Sequence, residues 1–282
     1  MVKIDNSKCI KCKQCIDICH EYCITLTDTK LNIDYSICST CMQCIAICPE
    51  QALSWNKVLP IKFNDKNLPN SENLDELFKQ RRTIRKLKNQ TVDRTLLKEL
   101  ANYAMYAPTH SHDFRIIIID DQSIIDKIDN AILHFIFRMY VVFFRPRIIK
   151  WFLGIFPTSI KTEFYRAKPK LENALKIGKG FKYSPPAIIF IIDNKRVPFA
   201  RESAQYALYT VNLMAQSKGL ACRNLVGNQG IINRSKSLRK IMSIGSNENI
   251  FGAMAIGYPD VFFKNKIPNR TVKIQWNEQR SW

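Results

Sequence analysis

The sequence predicts an α+β protein in two parts: a small cysteine-rich domain, then a larger one with helices packed on a central sheet. Three observations carry this. Nine of the ten cysteines precede residue 49. After Trp55, helical periodicity alternates with short apolar runs. Between the two regions, Asn67-Leu68-Pro69-Asn70-Ser71 is a run of turn formers. The expected division is 1–57, a linker over 58–74, and 75–282, and 282 residues suffice for two separate cores.

Thiols clustered in a reducing compartment point to metal binding rather than to disulfides. Cys9, Cys12, Cys15 and Cys19 follow C-x2-C-x2-C-x3-C. Cys38, Cys41, Cys44 and Cys48 repeat the spacing and add Pro49, which is the bacterial ferredoxin run for [4Fe-4S] clusters. Zinc sites use paired C-x2-C knuckles that complete a tetrahedron, whereas three cysteines at successive steps of three wrap one loop around three corners of a cube. In such two-cluster pairs the fourth cysteine of each run serves the other cluster. The expected ligand sets are therefore Cys9, Cys12, Cys15 and Cys48, and Cys38, Cys41, Cys44 and Cys19.

An internal repeat supports this 2[4Fe-4S] ferredoxin-like domain. Ile4-Asp5-x-Ser7-x-Cys9 recurs as Ile33-Asp34-x-Ser36-x-Cys38, and Gln14-Cys15-Ile16-x-Ile18-Cys19 recurs as Gln43-Cys44-Ile45-x-Ile47-Cys48. The repeated isoleucines are expected to keep water from the sulfurs. His20 stands where the second run has Pro49, which alters a turn and removes no ligand. Cys23 aligns with Ala52 and reads as a small buried residue, not a ligand.

In the second part, Val92, Leu96, Leu97, Leu100, Tyr103, Ala104 and Ala107 recur at helical spacing over 92–107, and Pro108 ends the run. Arg115–Ile119 and Ala187–Ile192 read as buried strands, 199–218 as a helix stopped by Gly219, and Ile250–Ile256 as a third strand. No G-x-G-x-x-G follows a strand, so a Rossmann nicotinamide site has no support.

Arg81-Arg82-Thr83-Ile84-Arg85, Ala107-Pro108-Thr109, Gly219-Leu220-Ala221-Cys222 and Gly257-Tyr258-Pro259 occur in the order seen in nitroreductase-like FMN flavoproteins. Over roughly residues 75–276 the chain resembles that family, in the branch fused to a ferredoxin domain. The resemblance implies a central, mostly antiparallel sheet, bound FMN, and a homodimer with flavin at its interface. It implies that Arg81, Arg82, Thr83 and Arg85 hold the phosphate and ribityl chain, guanidinium forks being suited to phosphate oxygens. Lys264, Lys266 and Arg270 match a second basic motif that closes on the same phosphate. Pro108, Thr109, His110, Ser111 and His112 occupy the loop that contacts the flavin ring. The family has an asparagine and then a glutamine there, and this loop is about two residues shorter. His110 and His112 then stand either as hydrogen-bond and proton donors or as partly exposed loop residues. Leu225, Val226 and Gly227 resemble the stretch passing the reactive edge of the flavin, where glycine permits close approach. Cys222 has no visible partner and reads as packing. The flavin itself carries the chemistry.

Residues 131–160 mix aromatic and aliphatic side chains with Arg138, Arg145, Arg147 and Lys150 and are broken by Pro146. The segment does not read as a membrane span; it is expected to be a helical insertion or lid over the flavin, the alternative being a surface-lying amphipathic helix. The resemblance also gives the 271–276 stretch a strand pattern that crosses to a partner subunit.

The formal charge is +19, from 43 basic and 24 acidic residues. The lysines are spread along the chain and no nucleic-acid motif occurs, which argues against a nucleic-acid partner. A basic surface suits an acidic donor such as a ferredoxin or flavodoxin. No apolar run of about 20 residues occurs, and the opening residues reach a cysteine before a signal-peptide core could form, so a cytoplasmic protein without stable membrane insertion is expected. The functional expectation is an FMN-dependent oxidoreductase of nitroreductase type, with two [4Fe-4S] clusters feeding FMN and a small-molecule acceptor such as a nitro compound or quinone. The alternatives are an iron-sulfur/flavin electron-transfer or redox-sensing protein without a small-molecule substrate, and a basic binding protein whose clusters are structural.

Overall fold

The structure, a computed structural model, describes residues 1–28, 30–109, 114–145, 157–268 and 272–276. The duplicated cysteine unit folds as two interlocked halves. The first half contributes β1 (Val2–Ile4), α1 (Gln14–Asp17) and β2 (Ile24–Leu26); the second contributes β3 (Leu31–Ile33), α2 (Gln43–Ile47) and β4 (Leu53–Trp55). β1 pairs antiparallel with β4, Val2 opposite Trp55, and β2 pairs with β3, Ile24 opposite Ile33. Two-stranded ribbons are marginal alone. Here both ribbons close on one core that includes Val2, Ile24, Leu31, Ile45 and Leu53. The halves exchange equivalent hydrogen bonds: Asp5 N–H donates to the Ala52 carbonyl at 2.8 Å, and Asp34 N–H donates to the Cys23 carbonyl at 2.8 Å.

The stretch expected as linker ends inside a helix. α3 (Ser71–Gln80) starts at Ser71 because the Asn70 side chain accepts the Asn73 N–H at 2.8 Å. The helix predicted over 92–107 divides into α4 (Arg94–Asn102), capped by Asp93, and a 3-10 turn over Tyr103–Tyr106. Pro108 forces Ala107 out of the helical region, to ψ 148°.

The central sheet comprises β5 (Arg115–Ile119), β6 (Ala187–Asn194), β7 (Ala221–Asn224) and β8 (Glu248–Gly257), in the order β5-β6-β8-β7, antiparallel at every junction. Around it lie α5 (Gln122–Phe143), α6 (Thr158–Ile177), α7 (Ala200–Ser217), α8 (Val226–Arg234) and α9 (Lys236–Ile241). β6 is buried on both faces. Ala187, Ile189 and Ile191 face a core built with Leu97 and Leu100 of α4 and Leu208 and Val211 of α7. Ile188, Phe190 and Ile192 face the opposite core, with Ile125, Ile128 and Ile132 of α5. Each fully buried Ile or Leu contributes about 1.5–3 kcal/mol, so this strand anchors three layers. β7 escaped the sequence reading because Ala-Cys-Arg-Asn is short and carries no alternation.

Two glycines allow close approach. A Cβ on Gly252 of β8 would stand 2.9 Å from Leu208 Cδ1, so the missing side chain lets α7 lie against the sheet. A Cβ on Gly180 would stand 2.5 Å from the Asp129 carbonyl oxygen. That closeness lets the Asp129 carboxylate of α5 accept the N–H groups of Gly180, at 3.2 Å, and of Phe181.

Within the expected insertion, α5 runs to Phe143 and α6 begins at Thr158, with Phe144 and Phe164 stacked at 4.3 Å. Residues 146–156, and with them Pro146, Arg147 and Lys150, lie outside the described residues. Among the described residues, no helix is long and apolar enough to cross a membrane. Thr271 lies outside the described residues, and 272–276 form no strand or helix.

Arg115 at the start of β5 reaches across β6 to Glu248 of β8, with Nε 2.7 Å from Oε1 and Nη2 2.8 Å from Oε2. The Arg115 hydrogen bonds, aided by Gly245 N–H, hold the Glu248 carboxyl down at about 2 against partial burial. A depressed carboxylate stabilises the fold above its unfolded value of 4.5 and loses that contribution as pH falls towards about 2. Glu248→Gln should cost about 1 kcal/mol at neutral pH, screening by water included. In urea unfolding the gap between the two chains should close as pH falls from about 5 towards 2; a gap independent of pH would refute the pairing as its cause.

Candidate cluster and cofactor sites

The cysteine loops hold an uncommon backbone. Lys11 and Lys13 adopt φ of 57° and 66°, and the aligned Thr40 and Met42 adopt 57° and 62°. Side-chain-bearing residues rarely sit at positive φ, and the cost is met where a site needs it. Here it occurs at the residues between the cysteines. Cys9, Cys12 and Cys15 line one cavity and are joined there by Cys48 from the other half. Cys38, Cys41 and Cys44 line a second, joined by Cys19. Each cavity thus draws one of its cysteines from the other half of the unit.

Cys15 and Cys44 are the most buried of these, at 7% and 9% exposure, and the Ala52 N–H donates to Cys48 Sγ at 3.3 Å. Burial, then the neighbouring thiols, pushes Cys44 up to about 12. Because a metal ligand must be a thiolate, loading such a site releases protons. Among the described residues no group of three His, Cys, Asp or Glu side chains is gathered as for a single metal ion. The sulfurs instead surround two cavities, with Ile16, Leu26 and Leu31 walling the first. Four thiols around an apolar-walled space are the donor set of a [4Fe-4S] cluster, so these residues fit that group.

Cys23 is buried at 3% exposure, as expected, but it is more than filler. Its Sγ lies 3.4 Å from Cys19 Sγ, and it lines the second cavity. Ser39 lines it too, its Oγ buried with no hydrogen-bond partner among the described residues.

In the larger domain, Ile84 N–H donates to the Cys222 carbonyl at 3.3 Å and Lys88 N–H to the Tyr258 carbonyl at 2.8 Å. The Arg81–Arg85 segment therefore runs beside β7 and the end of β8. Arg82 and Ile84 line a cavity of about 440 Å³ together with Lys264 and Lys266. Arg81, Thr83 and Arg85, which alternate with them, do not. The expected phosphate residues thus fall into two groups. The Arg81 guanidinium lies 5.9 Å over the Tyr209 ring, and Lys266 pairs with Glu76.

Arg85 meets a residue the sequence reading missed. Arg223 of β7 sits 5.5 Å over the Phe181 ring, and its Nε is buried with no hydrogen-bond partner among the described residues. Burial, and secondarily the charge of Arg85, lowers the Arg223 pKa. Two close cations, one holding an orphaned donor, fit an anionic group such as a phosphate. The available signal was a single arginine inside an otherwise uncharged segment.

Leu225 is buried, its N–H donating to the Ala253 carbonyl at 2.8 Å, while Val226 is exposed. Gly227 has open space where a Cβ would stand, so nothing within the described chain requires glycine there. Pro108 is exposed and Thr109 half-buried, beyond the 3-10 turn. His110, Ser111, His112 and Arg270 lie outside the described residues. Cys222 is buried at 2% in the core, which raises its thiol pKa, and it packs as expected.

Residues 78–258 match the model of the nitroreductase family, and residues 6–22 and 35–51 match that of a 4Fe-4S binding domain. No curated protein is a significant match. Similar solved structures include a nitroreductase with bound FMN from Bacteroides fragilis, 15% identical over 74% of this chain and 100% of that one, with a TM-score of 0.52. Another is a nitroreductase with bound FMN from Desulfitobacterium hafniense, 15% identical over 71% and 97%, TM-score 0.52. A third is a mutant FMN- and NADPH-dependent nitroreductase from sphigopyxis sp., 18% identical over 72% and 98%, TM-score 0.50. At these identities the likeness is one of fold. The family match spans more than half of the residues, and the chain belongs to the nitroreductase family.

Proposed function

We propose that this chain is an FMN-dependent oxidoreductase that passes electrons through two [4Fe-4S] clusters to FMN and on to an organic acceptor such as a nitro compound or quinone. The observation that carries the reading is the joining, in one chain, of two cysteine-lined cavities to a nitroreductase domain. Bound clusters exchange single electrons, while FMN takes one or two, so the pair can serve a two-electron acceptor.

The assignments to residues follow. Cys9, Cys12, Cys15 and Cys48 hold one cluster; Cys38, Cys41, Cys44 and Cys19 hold the other. Arg81, Thr83 and Arg85, with Arg223, bind the FMN phosphate and ribityl chain, the orphaned Arg223 Nε being the donor that still lacks an acceptor. Arg82, Lys264 and Lys266 border the neighbouring cavity and add positive potential, with Arg270 beyond them. Leu225, Val226 and Gly227 face the reactive edge of the flavin, where the open space at Gly227 leaves room for a ring. Pro108 to His112 complete the ring contacts, His110 and His112 being the proton-donor candidates. The division into 1–57, 58–74 and 75–282, the 131–160 lid, a homodimer, a cytoplasmic location and an acidic ferredoxin or flavodoxin donor belong to the same reading. The net charge of +19 favours that donor.

Anaerobic purification should yield about eight irons and one FMN per chain, with dithionite-reduced protein reoxidised rapidly by a nitroaromatic. Eight irons without flavin would leave only an iron-sulfur protein, and slow reoxidation by every acceptor except oxygen would favour an electron-transfer or sensing role. Cys48→Ser should alter only the cluster of Cys9, Cys12 and Cys15, and Cys19→Ser only the other; electron paramagnetic resonance that changed for both clusters in either variant would refute the crossing. Arg85→Ala should weaken FMN retention by roughly tenfold, read by fluorescence titration, with circular dichroism unchanged.

A further inference from the structure

The two cluster cavities arise from one duplicated unit, yet two of the aligned positions at which they differ give the second a polar side chain buried against its cysteines. Cys23 aligns with Ala52, and Ser39 with Ile10. At the first cavity, the Ala52 N–H donates to Cys48 Sγ at 3.3 Å. At the second, Cys23 brings its own buried thiol, 3.4 Å from Cys19 Sγ. Ser39 adds a buried hydroxyl that lines the same cavity and has no partner among the described residues. The first cavity has Ile10 in the place of Ser39, and Ala52 offers no side-chain donor. Cys19, Cys38, Cys41 and Cys44 already complete a four-thiol set, so the Cys23 thiol is surplus to ligation.

Hydrogen bonds to cluster sulfurs favour the more negative, reduced state and raise the reduction potential, whereas a drier site disfavours that added charge. Lys11 and Lys13 border the first cavity, but they are exposed and screened by water and salt, whereas Cys23 and Ser39 act from inside the second. We propose that the Cys23 thiol and the Ser39 hydroxyl are hydrogen-bond donors to the sulfurs of the second cluster, positioning residues that raise its reduction potential and have no counterpart at the first. The proposal rests on the reading that both cavities hold clusters. Reduction by one electron adds negative charge to the sulfurs these donors face. No bond to Cys23 or Ser39 forms or breaks, and neither gives up its proton.

The test is a dithionite titration of the full chain, anaerobic and followed by electron paramagnetic resonance, for the native protein and for Cys23→Ala, Cys23→Ser and Ser39→Ala. Cys48→Ser, which alters the first cluster, assigns the two signals. Because Ala52 already fills the aligned place in the folded second half, Cys23→Ala leaves no cavity the fold has not accommodated. The expected result is about eight irons in the native chain and in these three variants. The midpoint of the second cluster should move negative in Cys23→Ala and in Ser39→Ala by roughly fivefold in the one-electron equilibrium. The first cluster should stay in place, and Cys23→Ser, which keeps a donor, should recover most of the shift. Unmoved midpoints, or equal movement of both clusters, would overturn the proposal. Loss of about four irons from Cys23→Ala would overturn it differently, by making Cys23 a ligand. A native chain without iron would overturn the cluster reading itself, and the proposal with it.

Discussion

The two-sided burial of β6 is the constraint on which the larger domain depends. Residues 187–192 are at most 1% exposed, so every side chain along this strand must meet a partner layer. α4 and α7 close one face and α5 the other. β8 pairs along the whole length of β6, with an irregularity between Ile191 and Ile192, and β7 pairs with β8 in turn. That order places Arg223 and the Arg81–Arg85 segment at one edge of the sheet. A site built on the edge of a rigid sheet keeps its charges at fixed spacing without sacrificing core packing.

The smaller domain solves a different problem. It has too few residues for a large core, and its strands are only three residues long. Cysteines from both halves meet in each cavity, and a cluster bound there as proposed would itself be a crosslink. The left-handed residues between the cysteines show where backbone strain is spent. Lys11, Lys13, Thr40 and Met42 carry side chains at positive φ so that three sulfurs per loop turn inward. Duplication then supplies a near-symmetric pair of cavities, and the departures from symmetry, at Cys23 and Ser39, are where the two sites acquire different chemistry.

Much of this was legible in the chain itself. The spacing of Cys9 to Cys19 and of Cys38 to Cys48 defined both loops, and the strands at 115 and 187 announced themselves through unbroken apolar runs. The helix over 92–107 was overextended because periodicity persists through Ala107 while Pro108 acts on the backbone one residue earlier. β7 was invisible because its strand character comes from pairing with β8, not from its own four residues. The basic motif expected to hold a phosphate reads in the sequence as one group, yet alternation along an extended segment directs Arg82 to one cavity and leaves Arg81, Thr83 and Arg85 out of it.

The sequence by itself determined the kinds of donor available: eight thiols in two repeated runs, a basic motif before the first long helix, and the alternation of helix and strand. These are local properties, written in spacing and side-chain type. Only the tertiary structure decided which groups meet. Cys48 joins the first cavity and Cys19 the second, and the Nε of half-buried Arg223 is shut from solvent within reach of the charge of Arg85. Each of those meetings joins residues set by how strands pair and layers close, and no single stretch of chain encodes a contact whose other half lies on another element.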